Sequence, residues 1–174
     1  MAESIEALSR SQRVTIFVIL ITALKILLLH WSGETDIIVL ATTANRKTPA
    51  IEKMLGCFIN DVLLRTKIDS SITGLTLLEQ VNQTVNEALA NQETPLAKMD
   101  EIFNSIEVLR TVSISMAPPI RWQNQILEGE IISMTLYHEI WDEQHIPLEI
   151  YVDYGKDSQT IEIAGYYSIN LFTY

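Results

Sequence analysis

Apolar residues recur along the chain in two rhythms, and the point where one gives way to the other divides it. AESIEALSRSQRV at the start has mixed polarity and a helical look. Val14 to Leu29, VTIFVILITALKILLL, is apolar nearly all round, which predicts a buried helix. Gly33 is a natural stop for it. Asp36 to Ala44, DIIVLATTA, is short and rich in β-branched residues, the pattern of a buried strand. Asn45 to Thr48 form a polar connection, and Pro49 suits the first turn of a helix that AIEKMLGCFIN continues. Asp61 to Asp69 alternate as a strand does, and Ser70 to Gly74 read as a turn. Thr76 is a candidate N-cap, with Glu79 three residues on. Leu78, Val81, Val85, Ala88 and Leu89 then recur at helical spacing until Pro95, after which PLAKMDEIFNSI predicts a shorter helix. Beyond it the rhythm changes. VLRTVSISM, EIISMTLYHEI, LEIYVDY and TIEIAGYYSINLF have strand length and alternation, with Pro118-Pro119, Pro147 and Gly155-Lys156-Asp157 between them. Helix–strand alternation followed by strands predicts an α/β (α+β mixed) fold, a mixed β-sheet with packed helices.

Composition narrows the function classes. The chain has 174 residues, 48% hydrophobic and 20% charged, enough for one domain, or one lobe of a larger one, with a packed core. Its formal net charge of −10 argues against a nucleic-acid partner, because the chain repels phosphate. One cysteine, Cys57, allows neither an internal disulfide nor a multi-cysteine metal site and favours the cytoplasm. The Val14–Leu29 run imitates a membrane element, with Arg10 and Arg13 before it. A bilayer span needs about 20 apolar residues. This run is shorter and carries Lys25, so a core helix is expected; a small membrane-anchored protein is the competing class.

Several chemistries lack their residues. Gly155-Lys156 has no upstream glycine for a phosphate loop, and no Gly-x-Ser-x-Gly elbow occurs. Nothing near Cys57 would activate it, so a buried, inert thiol is expected. His138-Glu139-Ile140-Trp141-Asp142-Glu143-Gln144-His145 gathers two imidazoles and three carboxylates. Histidines seven apart in one strand point to opposite faces, so an acidic turn rather than a metal site is expected, and no metal is assigned.

MLGCFINDVLLR is more informative. It places Gly56, Phe58, Ile59 and Asn60 at the end of a helix and Arg65 in the next strand. Gly56 permits close packing, Phe58 and Ile59 anchor the junction, Asn60 satisfies loose backbone groups, and Arg65 forks to a carboxylate or carbonyls. The segment Gly56-Cys57-Phe58-Ile59-Asn60-Asp61, with Arg65 after it, resembles the Gly-x-Phe-Val-Asn-Thr…Arg motif of nonribosomal peptide synthetase condensation domains. Asn91-Gln92-Glu93-Thr94-Pro95-Leu96-Ala97 resembles that family's His/Asn-Gln-Asp-x-Pro-Phe-Glu. LLLHWSGETDIIVLATTANR and GYYSINLF resemble its flanking helix–turn–strand and its C-terminal strand. Four such motifs in order span nearly the whole chain. Asp61, Glu93, Leu96 and Ala97 depart from the pattern, and the family's Arg-Asp-x-Ser-Arg-Asn-Pro segment has no counterpart.

The resemblance implies a chloramphenicol acetyltransferase-like half-domain, with residues 1–174 as the C-terminal lobe of a condensation domain. Two such lobes enclose a tunnel into which carrier proteins insert 4'-phosphopantetheine arms. An acyl or peptidyl thioester on one arm meets an aminoacyl acceptor on the other, and an amide forms. No cofactor is bound directly. The family's catalytic signature, His-His-x-x-x-Asp-Gly, belongs to the N-terminal lobe. Here His30, His138 and His145 are all isolated and no Asp-Gly pair occurs, so no catalytic residue is assigned. The resemblance implies Asn45, Arg46, Asn60 and Arg65 as the polar motif or tunnel residues, and Gly56, Phe58, Gln92 and Pro95 as structural ones. The expected partners are carrier proteins and the missing lobe or adjacent synthetase domains, with neither nucleic acid nor membrane. A non-catalytic module binding a carrier or a neighbouring domain is the alternative.

Overall fold

The computed structural model describes residues 2–69, 71–95, 98, 112–116, 148–154 and 161–167. Helices α1 (Ala2–Gln12) and α2 (Ile16–Ser32) lead into strand β1 (Asp36–Thr43). A single turn, α3 (Pro49–Glu52), precedes β2 (Asn60–Lys67). Helix α4 (Gly74–Ala90) follows, then β3 (Val112–Met116), β4 (Leu148–Tyr154) and β5 (Ile161–Tyr167). The strands form one sheet in the order β2-β1-β3-β4-β5. β1 and β3 pair parallel, as do β3 and β4, whereas the outer pairs β1–β2 and β4–β5 are antiparallel. The expected mixed sheet with packed helices is the one found. The expected EIISMTLYHEI strand, the Gly155–Asp157 turn and the His138–His145 cluster lie outside the described residues, as does most of the PLAKMDEIFNSI helix.

The core forms where α2 and α4 meet the β1–β2 half of the sheet. Ile37, Val39 and Ala41 of β1 alternate with the outward positions, as a pleated strand requires, and Val62 and Leu64 do the same on β2. Val18, Ile21 and Leu24 of α2 and Leu77, Leu78, Val81 and Val85 of α4 join the same cluster. Sequestering each such side chain from water contributes about 1.5–3 kcal/mol.

Helix ends are set by local chemistry. The Thr15 side chain accepts from the Val18 N–H at the start of α2. Gly33, at φ +72, closes it by donating its N–H to the Leu29 carbonyl. Thr73, not Thr76, caps α4: its hydroxyl accepts from the Thr76 N–H, and the helix begins at Gly74. The expected Thr76 cap is thus displaced by a threonine one turn earlier, whose extended backbone suits the position.

α2 is buried on one face rather than all round. Ile26, Leu27 and Trp31 are 45%, 40% and 64% exposed. Among the described residues no single helix is long and apolar enough to cross a membrane; α1 and α2 together are bent by 106°. Arg13, at φ +56, makes the break.

Lys25 is the unusual core residue. It is fully buried among apolar neighbours, and its Nζ donates to the Ile37 carbonyl at 3.1 Å and the Leu64 carbonyl at 2.6 Å. One helix side chain thereby ties β1 to β2. Burial lowers its pKa from 10.5 to about 8, against the nearby Asp36 carboxylate, which acts to raise it. Between those values the unfolded chain holds a proton the native state has released, so stability rises with pH across that window. Below about pH 8 both states are charged and the fold bears the whole desolvation cost. At about 1.4 kcal/mol per pH unit, that cost is bounded near 3 kcal/mol. Urea denaturation between pH 7.5 and about 10.5 should show native protein gaining stability relative to Lys25→Met. Parallel curves for the two proteins would refute this origin of the shift.

Candidate functional site

At the end of β1 the chain leaves the sheet through Asn45, whose φ of +48 lies in the left-handed region that asparagine tolerates. That reversal sends Arg46 into the following loop. Its Nη1 donates to the carbonyls of Ile51 and Met54 at 2.5 and 2.9 Å, and its Nη2 to that of Gly56 at 3.0 Å. The same guanidinium lies 4.6 Å from the centre of the Phe58 ring. Gly56 sits at φ +154, and a Cβ there would come within 3.1 Å of Phe58 Cε2. The backbone conformation there favours glycine, and a Cβ would crowd the ring.

This geometry corrects the sequence expectation for the segment. The helix ends at Glu52 and does not continue to Asn60. Loop carbonyls that would have bonded within a helix are gathered by Arg46 instead. The loop then turns its outer side to water. Cys57 is exposed, not buried, and Ile59 is 65% exposed, so Ile59 does not anchor the junction. Phe58 is half-buried beneath the guanidinium.

Asn60 opens β2 and joins the two motif segments. Its Nδ2 donates to the carbonyls of Gln92 at 2.7 Å and Thr94 at 2.8 Å, just past the end of α4. The loose backbone groups it satisfies therefore belong to the turn that follows α4, not to the preceding helix. Lys47 adds a second tie to the same place, 3.2 Å from the Glu93 carboxylate and 3.4 Å from the Ala90 carbonyl. Pro95 follows, and its carbonyl accepts from the Lys98 N–H at 2.9 Å.

Arg65 stands apart from these residues. Its guanidinium forks to both carboxylate oxygens of Asp36, at 2.8 and 2.6 Å, across the β1–β2 ladder. The hydrogen bonds from Arg65 hold the Asp36 carboxyl below its ordinary range. Both side chains are largely solvated, 47% and 36% exposed, so the pair braces a surface rather than lining an interior.

Of these residues, Asn45, Arg46 and Gln92 border a cavity of about 450 Å³. Thr42, Thr43, Asn45, Arg46 and Gln92 supply its polar rim, and Phe17, Val62, Leu64, Val85, Leu89 and Met116 its apolar wall. Among the described lining residues Arg46 is the sole ionisable side chain, and loop carbonyls already take three of its five N–H donors. The lining can hold and orient an apolar or amide-bearing group; among the described residues it offers no general base. Of the residues singled out from the sequence, Asn45, Arg46 and Gln92 line this cavity, and Gly56, Phe58, Asn60, Arg65 and Pro95 do not. Thr42, Thr43 and the apolar wall were not legible as site residues, because their shared cavity comes from strand pairing and helix packing.

Asn60→Ala strands two carbonyls and should cost about 1–3 kcal/mol of unfolding free energy. Arg65→Ala removes an exposed pair and should cost no more than about 1 kcal/mol. Urea denaturation of the two variants side by side checks the order; a larger loss for Arg65→Ala would refute the assignment.

Comparison with known proteins agrees with the residues. The chain matches the condensation-domain family over residues 1–172. It is 36% identical over 115 residues to a linear gramicidin synthase of Brevibacillus parabrevis, covering 66% of this chain and 1% of that synthase. With malpibaldin synthetase of Mortierella alpina it shares 27% identity over 175 residues, covering 98% of this chain and 3% of that one. Among solved structures, the first condensation domain of the calcium-dependent antibiotic synthetase superposes with a TM-score of 0.75 at 12% identity, over 99% of this chain and 38% of that one. The X-domain from teicoplanin biosynthesis gives 0.73 at 19% identity, over 97% and 39%. The expected chloramphenicol acetyltransferase-like architecture is the one shared with these domains. With the motif segments joined by Asn60, and the match running from residue 1 to 172, this chain belongs to the condensation-domain family of nonribosomal peptide synthetases.

Proposed function

We propose that residues 1–174 act as the C-terminal lobe of a condensation domain. The lobe supplies one wall of a tunnel in which an acyl or peptidyl thioester meets an aminoacyl acceptor. Both substrates arrive on carrier-protein 4'-phosphopantetheine arms, and the product is an amide. The observation that carries this reading is the cavity at the joined motifs, apolar within, amide- and hydroxyl-rimmed, and lined among the described residues by no acid or base besides the engaged Arg46. Such a wall positions reactants, and positioning supplies much of the rate in a bimolecular acyl transfer. Proton transfer from the attacking amine requires a group outside this lining, and the His-His-x-x-x-Asp-Gly signature of a companion lobe provides it. In this reading Asn45 and Arg46 shape the wall and Asn60 braces it, while the Arg65–Asp36 pair braces the sheet away from the cavity. The domain works beside carrier proteins and adjacent synthetase domains, in the cytoplasm.

The assay is amide formation from two loaded carrier proteins. This chain alone should give no product above the protein-free background. The chain joined to a lobe bearing the histidine signature should give product, and Arg46→Ala in that assembly should reduce turnover about tenfold or more by misplacing the wall. Turnover by the chain alone would overturn the proposal.

A further inference from the structure

One row of side chains crosses four strands on the sheet face turned away from α2 and α4. Val39 and Ala41 belong to the core beneath those helices. Leu40, between them, is 3% exposed yet lies outside that cluster, so it points the other way. Its strand partners are Leu63 on β2 and Ser113 on β3, and Ser113 is partnered in turn by Glu149 on β4. Partnered residues share a face, so the row runs Leu63, Leu40, Ser113, Glu149: apolar at one end, then a hydroxyl, then a carboxylate.

Both polar members of the row lack a partner. Ser113 is 4% exposed, and its hydroxyl makes no hydrogen bond. Glu149 is half-buried and belongs to none of the described ion pairs. Of the five strands only β2 carries basic residues, Arg65 and Lys67. That strand lies three spacings from β4, about 14 Å, and Arg65 is already held by Asp36. A buried hydroxyl and a half-buried carboxylate without partners carry a desolvation cost, and one group relieves both. An ammonium has three N–H donors, enough to reach the carboxylate and the hydroxyl oxygen together. Leu40 and Leu63 then offer apolar surface to the stem that bears it. We propose that this row binds an aliphatic primary ammonium on an unbranched stem. The site is separate from the cavity at the joined motifs, whose Ala41, Val62 and Leu64 lie on the opposite face.

The probe is pentylammonium, titrated calorimetrically into the full chain at neutral pH, with pentanol as its uncharged counterpart. The amine should bind about tenfold or more tightly than the alcohol. Glu149→Gln should erase that preference without moving the melting midpoint, and Ser113→Ala should weaken amine binding several-fold. No binding, equal binding of the alcohol, or a preference that survives Glu149→Gln overturns the proposal. So does a Ser113→Ala protein that melts higher yet binds the amine unchanged, since its hydroxyl would then be only a buried orphan. A free amine and the side chain of a basic aminoacyl group share this chemistry. Amide formation by the chain joined to a histidine-bearing lobe separates them, with ornithyl and norleucyl acceptors, which match in length. An ornithyl preference that Glu149→Gln abolishes assigns the row to the aminoacyl side chain, and equal turnover of the two assigns it to a free amine. No turnover of either overturns the lobe reading, and the titration alone then decides the site.

Discussion

The guanidinium of Arg46 organises a stretch of chain that forms no regular structure of its own. Between Glu52 and Asn60 the backbone makes neither helix nor strand, yet its carbonyls need hydrogen-bond donors wherever water is excluded. Arginine meets that need where lysine would not, because its planar fork presents several donors at fixed angles and a flat face to the Phe58 ring. The position of Arg46 depends in turn on the left-handed turn at Asn45. Gly56 completes the arrangement by leaving the ring its place. A break at any of these residues would release the loop, and with it one side of the cavity.

The sequence made the regular elements legible because their signals are local. A short run of β-branched residues gave β1, alternating positions gave β2, and the period of Leu78, Val81 and Val85 gave the buried face of α4. The Gly33 stop was equally plain. What was misread depended on partners distant in the chain. MLGCF has the composition to continue a helix, and the turn that ends it is held by an arginine before the helix begins. Thr73 and Thr76 are both acceptable caps, and which of them serves depends on how α4 docks on the sheet. Asn60 was expected to serve the end of its own preceding helix. It serves the turn after α4 instead, 32 and 34 residues away, a pairing that no periodicity reveals.

Lys25 illustrates a cost accepted for architecture. A leucine in its place would pack into the same apolar cluster without the desolvation of an ammonium group. What the lysine adds is direction: its two bonds reach carbonyls on different strands, so α2 is held in one register over the β1–β2 ladder. Apolar contacts alone slide more easily, since they reward burial without fixing orientation. The helix whose sequence most resembled a membrane element is thus fastened to the sheet by its one basic interior residue.

These constraints fit a division of labour between two lobes. The cavity wall is assembled from three strands, two helices and the segments that follow β1 and α4, fixed by polar ties and by core packing. Rigidity of this kind suits the placing of two tethered reactants, whose encounter would otherwise be limited by the freedom of their arms. A wall that also carried a base would have to desolvate it beside an apolar lining, shifting its pKa as burial shifts that of Lys25. Under the proposed two-lobe reading, proton transfer on an opposing surface avoids that conflict: one side would remain apolar enough to hold substrate, while the other would stay polar enough to keep an imidazole near its working pKa.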